Sequence, residues 1–226
     1  MSASVPGGGS GPPMPSGGSE PLTAADLDRL RECIAGAGVV VFPADTVYGL
    51  GCDPDSEQAV TRLYELKDRP AAHPAAVMFF ALDFALRALP ELAPREHAAL
   101  RALLPGPLTL LLPNRAHRFP LACGPGAGGS DTLGLRVPLL PERLAALATV
   151  DRPLLQSSAN LSGKPDPQRL VDVPASIRAG ADLMLDGGEL PGVASTVLDL
   201  RDYERSGRWR IVRAGPLGQA ELERAL

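Results

Sequence analysis

Polar and charged side chains follow the apolar stretches of this sequence, where they could meet at the ends of strands. Three of them are the cations Lys67, Arg69 and Arg213. Guanidinium and ammonium groups recognise phosphates and carboxylates through charge-assisted hydrogen bonds. Hydroxyl and amide groups recur beside them, at Thr46, Thr132, Ser158, Asn160, Ser162, Ser195 and Thr196. The combination predicts a site for an anionic ligand such as a nucleotide, with small polar groups that fix a second substrate.

Arg136 lies inside an apolar stretch that is typical of a buried strand. A buried guanidinium needs a paired anion or acceptor, so Arg136 adds a fourth cation if its side chain faces the same cleft. Plainer interpretations exist for the other residues. Lys67 and Arg69 could end a helix in solvent and interact with the helix dipole. Ser158 and Asn160 could be turn residues that bond their own backbone.

Several other chemistries find little support in the sequence. It contains neither a GxxxxGK[ST] phosphate loop nor a GxGxxG dinucleotide motif. Its three histidines and three cysteines are scattered without metal-ligand spacing, and Cys123 has no neighbouring base to make it a nucleophile. The net charge of −4 and the pI near 5.4 do not predict nucleic-acid binding, although a local basic groove stays open. Separated cysteines favour reduced thiols and a cytoplasmic location.

The strand that leads into the site is predicted over 39–42, an apolar β-branched stretch of the kind buried on both faces of a sheet. Pro43 should end the pairing because it has no backbone N–H. A segment without hydrophobic period follows and contains Asp45, Thr46, Tyr48, Gly49 and Gly51. Its glycines permit close backbone approach or a positive φ. We therefore expect a ligand-contacting loop here, with a plain polar turn as the alternative.

Caps and periodicity predict the remaining elements. Helices are expected after the N-cap residues Thr23 and Ser56, and as one or two short segments over 83–104 that include Pro94 in a first turn. Strands are expected over 75–81, 108–112, 133–137, 153–156, 182–185, 195–200 and 209–212, helices from Pro141 and over 219–226, and a loop over 115–130. This order indicates one α/β domain with a mixed sheet over 20–226. A disordered tail of Gly, Pro and Ser is expected over 1–19.

Seven segments of the chain form an ordered series. They are Pro43-Ala-Asp-Thr-Val-Tyr-Gly-Leu-Gly51, Lys67-Asp-Arg-Pro70, Pro105-Gly-Pro-Leu-Thr-Leu110, Leu133-Gly-Leu-Arg-Val-Pro138, Ser157-Ser-Ala-Asn-Leu-Ser-Gly163, Ser195-Thr-Val-Leu-Asp199 and Arg213-Ala-Gly215. The series resembles the YrdC/Sua5 family, the L-threonylcarbamoyladenylate synthases. It extends over most of the expected domain, from Leu22 to Gly218, which makes the resemblance specific.

The resemblance implies an α/β (α+β-like) domain of YrdC type, with a twisted mixed sheet and flanking helices around a large open cavity. It also implies an enzyme, a nucleotidyltransferase that makes threonylcarbamoyl-AMP and pyrophosphate from L-threonine, bicarbonate or CO₂, and ATP. Other proteins would then transfer the threonylcarbamoyl group to adenosine 37 of tRNA. Mg²⁺ would accompany the ATP, without an organic cofactor. The substrate carbamate would attack the α-phosphate, so no protein nucleophile is implied.

The family's site maps onto two sets of residues in this sequence. The threonine would be held by Thr46, Tyr48, Arg136, Ser158 and Ser195, with Arg136 on its carboxylate. The ATP would be bound by Lys67, Arg69, His73, Thr132, Asn160 and Arg213. Among these, Lys67 and Arg69 would position phosphates for catalysis from an exposed helix end. No residue is expected to bind a metal directly.

A few positions depart from the family pattern, namely Ala44, Met78, Gln168 and Ala194. Ala44 and Gln168 remove hydroxyl groups near the expected site. The chain ends shortly after Gly215, as expected for the short YrdC-like form.

The alternative function is an RNA-binding module of the same fold, without synthase activity. It would bind tRNA or double-stranded RNA on its concave surface and would need a continuous basic track. A weak contact with tRNA is also compatible with the enzyme function. A carbamoyl-transfer module like that of hydrogenase maturation proteins is less expected, because those modules belong to much longer chains. No stretch is long enough to predict a membrane span.

Overall fold

The computed structural model describes residues 20–70, 73–124 and 131–226. The tail predicted over 1–19 lies outside the described residues, as does the part of the predicted loop over 125–130. Both predicted helix starts are confirmed in the helices α1 (Ala24–Ala35) and α2 (Glu57–Leu66). Thr23 caps α1 in a reciprocal box with Asp26, and Ser56 caps α2, so each side chain satisfies a backbone N–H that the helix leaves free.

Nine strands among the described residues form one sheet. They are β1 (Val40–Pro43), β2 (Tyr48–Cys52), β3 (Ala76–Met78), β4 (Leu108–Pro113), β5 (Thr132–Arg136), β6 (Leu154–Ser158), β7 (Leu183–Met184), β8 (Thr196–Asp199) and β9 (Arg210–Arg213). Their order is β7-β1-β2-β6-β3-β5-β4-β8-β9. The pairs β1/β7, β3/β5 and β4/β8 are parallel, and the other pairs are antiparallel. The predicted α/β architecture with a twisted mixed sheet is therefore confirmed.

The segment after β1 differs from its prediction. The loop expected through residue 51 is mostly strand β2, which pairs antiparallel with β1 from Pro43 opposite Tyr48 onward. Gly49 and Gly51 lie within this strand instead of in a loop. The Phe42 side chain of β1 packs over them, and a Cβ at either glycine would lie 3.0 Å from its ring. The glycines are therefore required by packing across the strand pair rather than by a turn.

The other helices flank the sheet. They are α3 (Leu82–Ala88), α4 (Pro94–Leu103), α5 (Pro120–Cys123), α6 (Ala175–Gly180), α7 (Tyr203–Ser206) and α8 (Gln219–Ala225), with 3-10 helices over Glu142–Thr149 and Leu170–Asp172. Pro94 begins α4 as predicted. The prediction of a continuous loop over 115–130 was wrong at α5, a short turn that Pro120 starts with its fixed φ. Helices α6 and α7 were not predicted.

One contiguous core joins these layers. Leu30 and Ile34 of α1 and Leu63 of α2 are buried against it, as the helical periodicity predicted. Within the part of the chain that the structure describes, no helix combines the length and hydropathy needed to cross a bilayer. The strand ends that carry polar residues thus rest on a rigid, well-packed support.

Candidate active site

A cavity of about 210 Å³ lies against the central and outer strands of the sheet. Its lining comes from β6, β3, β5, β4, β8 and β9 and the segments between them: Val47, Arg69, Pro74, Ala75, Ala76, Thr109, Arg136, Gln156, Ser157, Ser158, Asp166, Ala194, Ser195, Val197 and Arg213. Small side chains such as Ala76 leave room above the sheet. Three guanidinium groups and several hydroxyls converge on this space, which is the chemistry that the sequence predicted.

Arg136 is buried at the end of β5 and faces the cavity. Its Nη2 donates to Asp45 Oδ1 at 2.7 Å and to Thr46 Oγ1 at 3.3 Å, while its Nε has no partner among the described residues. The second Asp45 oxygen accepts from the Leu139 backbone N–H at 3.1 Å. Burial lowers the pKa of Arg136 and raises that of Asp45, and each charge opposes the shift of the other. Asp45 thus supplies the anion that the buried arginine requires.

Lys67 is buried, with 2 % of its surface exposed, so the expectation of an exposed helix end was wrong. Its ammonium donates to the Ser158 carbonyl, to the Asn160 carbonyl at 2.7 Å and to Asn160 Oδ1 at 3.0 Å. Desolvation, with the nearby positive charge of Arg69, lowers the pKa of Lys67 to about 8. In this arrangement Lys67 fastens the end of α2 to the segment after β6, behind the cavity wall.

Arg69 reaches the cavity from the turn after α2. Its Nη1 donates to Ser157 Oγ at 2.8 Å and its Nη2 donates to the Pro74 carbonyl at 2.6 Å. The guanidinium also lies over the Tyr64 ring, 5.6 Å from its centroid. These contacts fix a cation in the wall, and no carboxylate of the described ranges forms an ion pair with it.

The last residue of β6 and the residues that follow it form a short series of hydrogen bonds. Ser158 Oγ donates to Asn160 Oδ1 at 2.7 Å, and the Asn160 amide donates to the Lys164 carbonyl. Ser158 lines the cavity, whereas Asn160 is buried beside Lys67. Asn160 therefore orients the wall rather than forming it.

Ser195 and Arg213 meet on the opposite side. Arg213 donates to the Ser195 carbonyl at 2.8 Å and to its hydroxyl at 3.2 Å, and Ser195 Oγ also bonds Thr109 Oγ1 at 2.8 Å. All three residues line the cavity. Next to them a more apolar cavity of about 390 Å³ shares Thr109 and extends to Thr132, Cys123 and Arg201. Thr132 therefore lies in the adjoining space, not with the serines.

Besides Lys67 and Asn160, three more predicted site residues do not line these cavities. The Tyr48 hydroxyl is buried and bonded to Asp186 Oδ1 and to the Gly188 carbonyl, both at 2.9 Å. Thr46 is also buried, and its hydroxyl accepts from Arg136, which lines the cavity. His73 is exposed, and its carbonyl accepts from the Tyr64 hydroxyl. Their assigned ligand contacts stay predictions.

Sequence reasoning missed several lining residues, namely Thr109, Gln156, Ser157 and Asp166. Gln156 precedes Ser158 by two positions, so strand alternation alone places both on one face. Thr109 is a polar residue inside an apolar strand, which is a comparable signal. Asp166 follows the strand after an irregular segment, and no local pattern predicts where it points.

The fold and cavity define an α/β protein with a cation-lined cavity on its mixed sheet, whose lining is chemically suited to a small anionic ligand. A family model described as "Telomere recombination", covering Sua5, YciO and YrdC proteins, matches residues 32–215. The chain belongs to this Sua5/YciO/YrdC family.

Curated relatives of this chain are named threonylcarbamoyl-AMP synthase. The Pyrococcus abyssi protein is 36 % identical over 192 residues, 83 % of this chain and 53 % of its own length. The Xanthomonas euvesicatoria protein is 34 % identical over 188 residues, 81 % of this chain and 95 % of its own length. The chain therefore spans about half of the first relative and nearly all of the second.

Solved structures show the same fold. The chain superposes on P. abyssi Sua5 complexed with L-threonine with a TM-score of 0.77 at 32 % identity, over 92 % of this chain and 59 % of that one. It superposes on Escherichia coli YciO with a TM-score of 0.68 at 24 % identity, over 90 % and 95 % of the two chains.

Proposed function

We propose that this chain is a nucleotidyltransferase that makes threonylcarbamoyl-AMP and pyrophosphate from L-threonine, bicarbonate or CO₂, and ATP. One observation carries the proposal: Arg69, Arg136 and Arg213 converge with serine hydroxyls on one cavity. The names of the curated relatives and the threonine complex of P. abyssi Sua5 support this choice among anionic ligands.

The threonine would occupy the part of the cavity beside Arg136. This guanidinium keeps donor capacity after its bond to Asp45, because Nε has no partner among the described residues. A substrate carboxylate is the acceptor that such a buried donor favours. The hydroxyls of Ser158 and Ser195 would fix the remaining polar atoms of the amino acid.

The ATP would place its phosphates between Arg69 and Arg213 and its nucleoside in the adjoining cavity beside Thr132. Lys67 and Asn160 would then act as positioning residues, because their bonds hold Ser158 at the wall. Mg²⁺ would arrive with the nucleotide. The described residues contain no group of three or more His, Cys, Asp or Glu that could hold an ion, so phosphate oxygens and water would supply its ligands.

The reaction needs positioning and charge neutralisation more than covalent catalysis. The threonine amine would add to CO₂ to give a carbamate, whose oxygen attacks the α-phosphate while pyrophosphate leaves. Fixed guanidinium groups would stabilise the charge that develops on the phosphate. The product would pass to proteins that transfer the threonylcarbamoyl group to tRNA, the partners expected for this chemistry.

The test is pyrophosphate release by the purified chain with Mg²⁺ and ATP. We expect release only when threonine and bicarbonate are both present. Arg69→Ala should raise the KM for ATP by about tenfold or more, because one charge-assisted phosphate contact is lost, whereas Arg29→Ala on the exposed face of α1 should not. Release that ignores either co-substrate, or no release at all, would overturn the proposal.

A further inference from the structure

Asp166 places a carboxylate in a cavity that is otherwise rich in cations. It is half-buried and lines the same space as Arg69, Arg136 and Arg213. Within the described ranges, its carboxylate has no hydrogen-bond or ion-pair partner. Burial lowers the pKa of both Lys67 and Arg136, and the negative charge of Asp166 opposes part of that lowering, so Asp166 lies close to the cationic wall.

The backbone around Asp166 is held in place. Pro165 and Pro167 flank it and restrict the φ and ψ angles that the segment can adopt. The Pro167 carbonyl accepts from the Tyr48 N–H of β2 at 3.0 Å, and the Gln168 carbonyl accepts from the Leu190 N–H at 2.9 Å. The carboxylate is therefore presented to the cavity by a segment that is fixed to the sheet.

An unpartnered carboxylate facing a confined cavity is best satisfied by a cation that arrives with the ligand. The other acidic residue near the site, Asp45, is already bonded to Arg136 and to the Leu139 N–H. Asp166 is thus the acidic group left free to accept from a substrate. A free amino acid carries both charges, and the cavity offers Arg136 for its carboxylate and Asp166 for its ammonium.

We infer that Asp166 binds the α-ammonium group of the amino-acid substrate and makes the site selective for amino acids over their 2-hydroxy counterparts. This inference rests on the proposed function, because it assigns the amine end of the same substrate. In that role Asp166 also sets the direction in which the amino acid enters, with its nitrogen away from Arg136. A Mg²⁺ ligand is the competing role for this carboxylate.

The experiment compares the binding of L-threonine with that of 2,3-dihydroxybutyrate, in which a hydroxyl replaces the ammonium. Calorimetry should show that the wild-type chain prefers threonine by about tenfold to a hundredfold, the range expected for one charge-assisted hydrogen bond. Asp166→Asn should reduce that preference to about threefold or less, and Asp166→Glu should restore part of it. The KM for ATP should stay near its wild-type value in both variants.

Asp151→Asn is the matched control, because Asp151 is exposed and lies outside the cavity; it should keep the wild-type preference. An unchanged preference in Asp166→Asn would overturn the inference, as would a variant that only needs more Mg²⁺ for half-maximal turnover. The proposed function fails separately, if the wild-type chain releases no threonine-dependent pyrophosphate. If the wild-type chain binds threonine and 2,3-dihydroxybutyrate equally but still releases pyrophosphate in the presence of threonine, the role of Asp166 is overturned and the proposed function stands.

Discussion

Lys67 shows how one buried charge can serve a site without lining it. Its ammonium holds two carbonyls and one side-chain oxygen of the 158–160 segment. Lys67→Ala removes the ammonium donor from these buried acceptors, of which Asn160 Oδ1 keeps its bond from the Ser158 hydroxyl. We therefore expect the free energy of unfolding to fall by about 1–3 kcal/mol. Urea denaturation measures the change.

Lys164→Ala is the matched control, because Lys164 is the other lysine of the chain and its side chain is exposed. Its free energy of unfolding should stay within about 0.5 kcal/mol of the wild-type value. A fully stable Lys67→Ala protein with no turnover would instead favour a direct phosphate contact.

The same lysine should make stability depend on pH in alkaline solution. Burial lowers the pKa of Lys67 from 10.5 to about 8, so the unfolded chain binds this proton more tightly than the folded one. Between pH 8 and 10.5 unfolding therefore takes up a proton, and the contribution of Lys67 to stability rises with pH. The unfolding free energy of the wild type minus that of Lys67→Met should therefore increase from pH 8 to pH 10.5.

Comparison with Lys67→Met is needed because other groups titrate nearby. Burial raises the pKa of the Cys33 thiol to about 11, for example, and this group affects both proteins equally. Chemical denaturation at a series of pH values gives the difference directly. A difference that stays constant from pH 8 to 10.5 would show that Lys67 keeps its ordinary affinity for protons.

At the level of elements, the sequence predicted the features that depend on neighbouring residues, such as helix caps, but not those that depend on tertiary contacts. Thr23 and Ser56 start helices through bonds to their own first turns, which the sequence contains in full. The glycine-bearing strand β2 looked like a loop because the reason for its glycines, the Phe42 ring, lies on the neighbouring strand. Lys67 looked exposed because its acceptors come from residues far along the chain. The chemistry of the site was therefore predictable, whereas the burial of its members depended on tertiary contacts.

The packing of β1 on β2 can be tested at Gly49. Its added Cβ would lie 3.0 Å from two carbons of the Phe42 ring, in a core where neither strand can move freely. Gly49→Ala should therefore lower the free energy of unfolding by about 1–3 kcal/mol through overpacking. Thermal or urea denaturation measures the loss.

Phe42→Leu provides the matched comparison for Gly49→Ala. It removes the ring that the new methyl group meets, so the double variant should be less destabilised than the sum of the two single variants. Strict additivity would mean that Gly49 is required for some reason other than the Phe42 ring.

At the level of the whole molecule, the cavity draws its residues from both halves of one sheet. Ser158 comes from β6, which adjoins the central strand β3, and Arg213 comes from the edge strand β9. A site assembled across so many strands keeps its geometry only if the sheet holds together as one body. The edge is tied in by Thr196 on β8, whose hydroxyl donates to the Leu217 carbonyl at 2.9 Å and accepts from its N–H at 3.1 Å.

We therefore expect the described sheet to unfold as one cooperative unit. Trp209 is the single tryptophan of the chain and precedes β9, so its fluorescence reports on the edge, while far-UV circular dichroism reports on all elements. The two urea midpoints should coincide. Thr196→Val removes both bonds to Leu217. It should lower the free energy of unfolding by about 1–2 kcal/mol, and both urea midpoints should shift down together. A fluorescence transition that precedes the loss of dichroism would show that β9 separates first, and Arg213 would then belong to an edge that opens independently of the rest of the site.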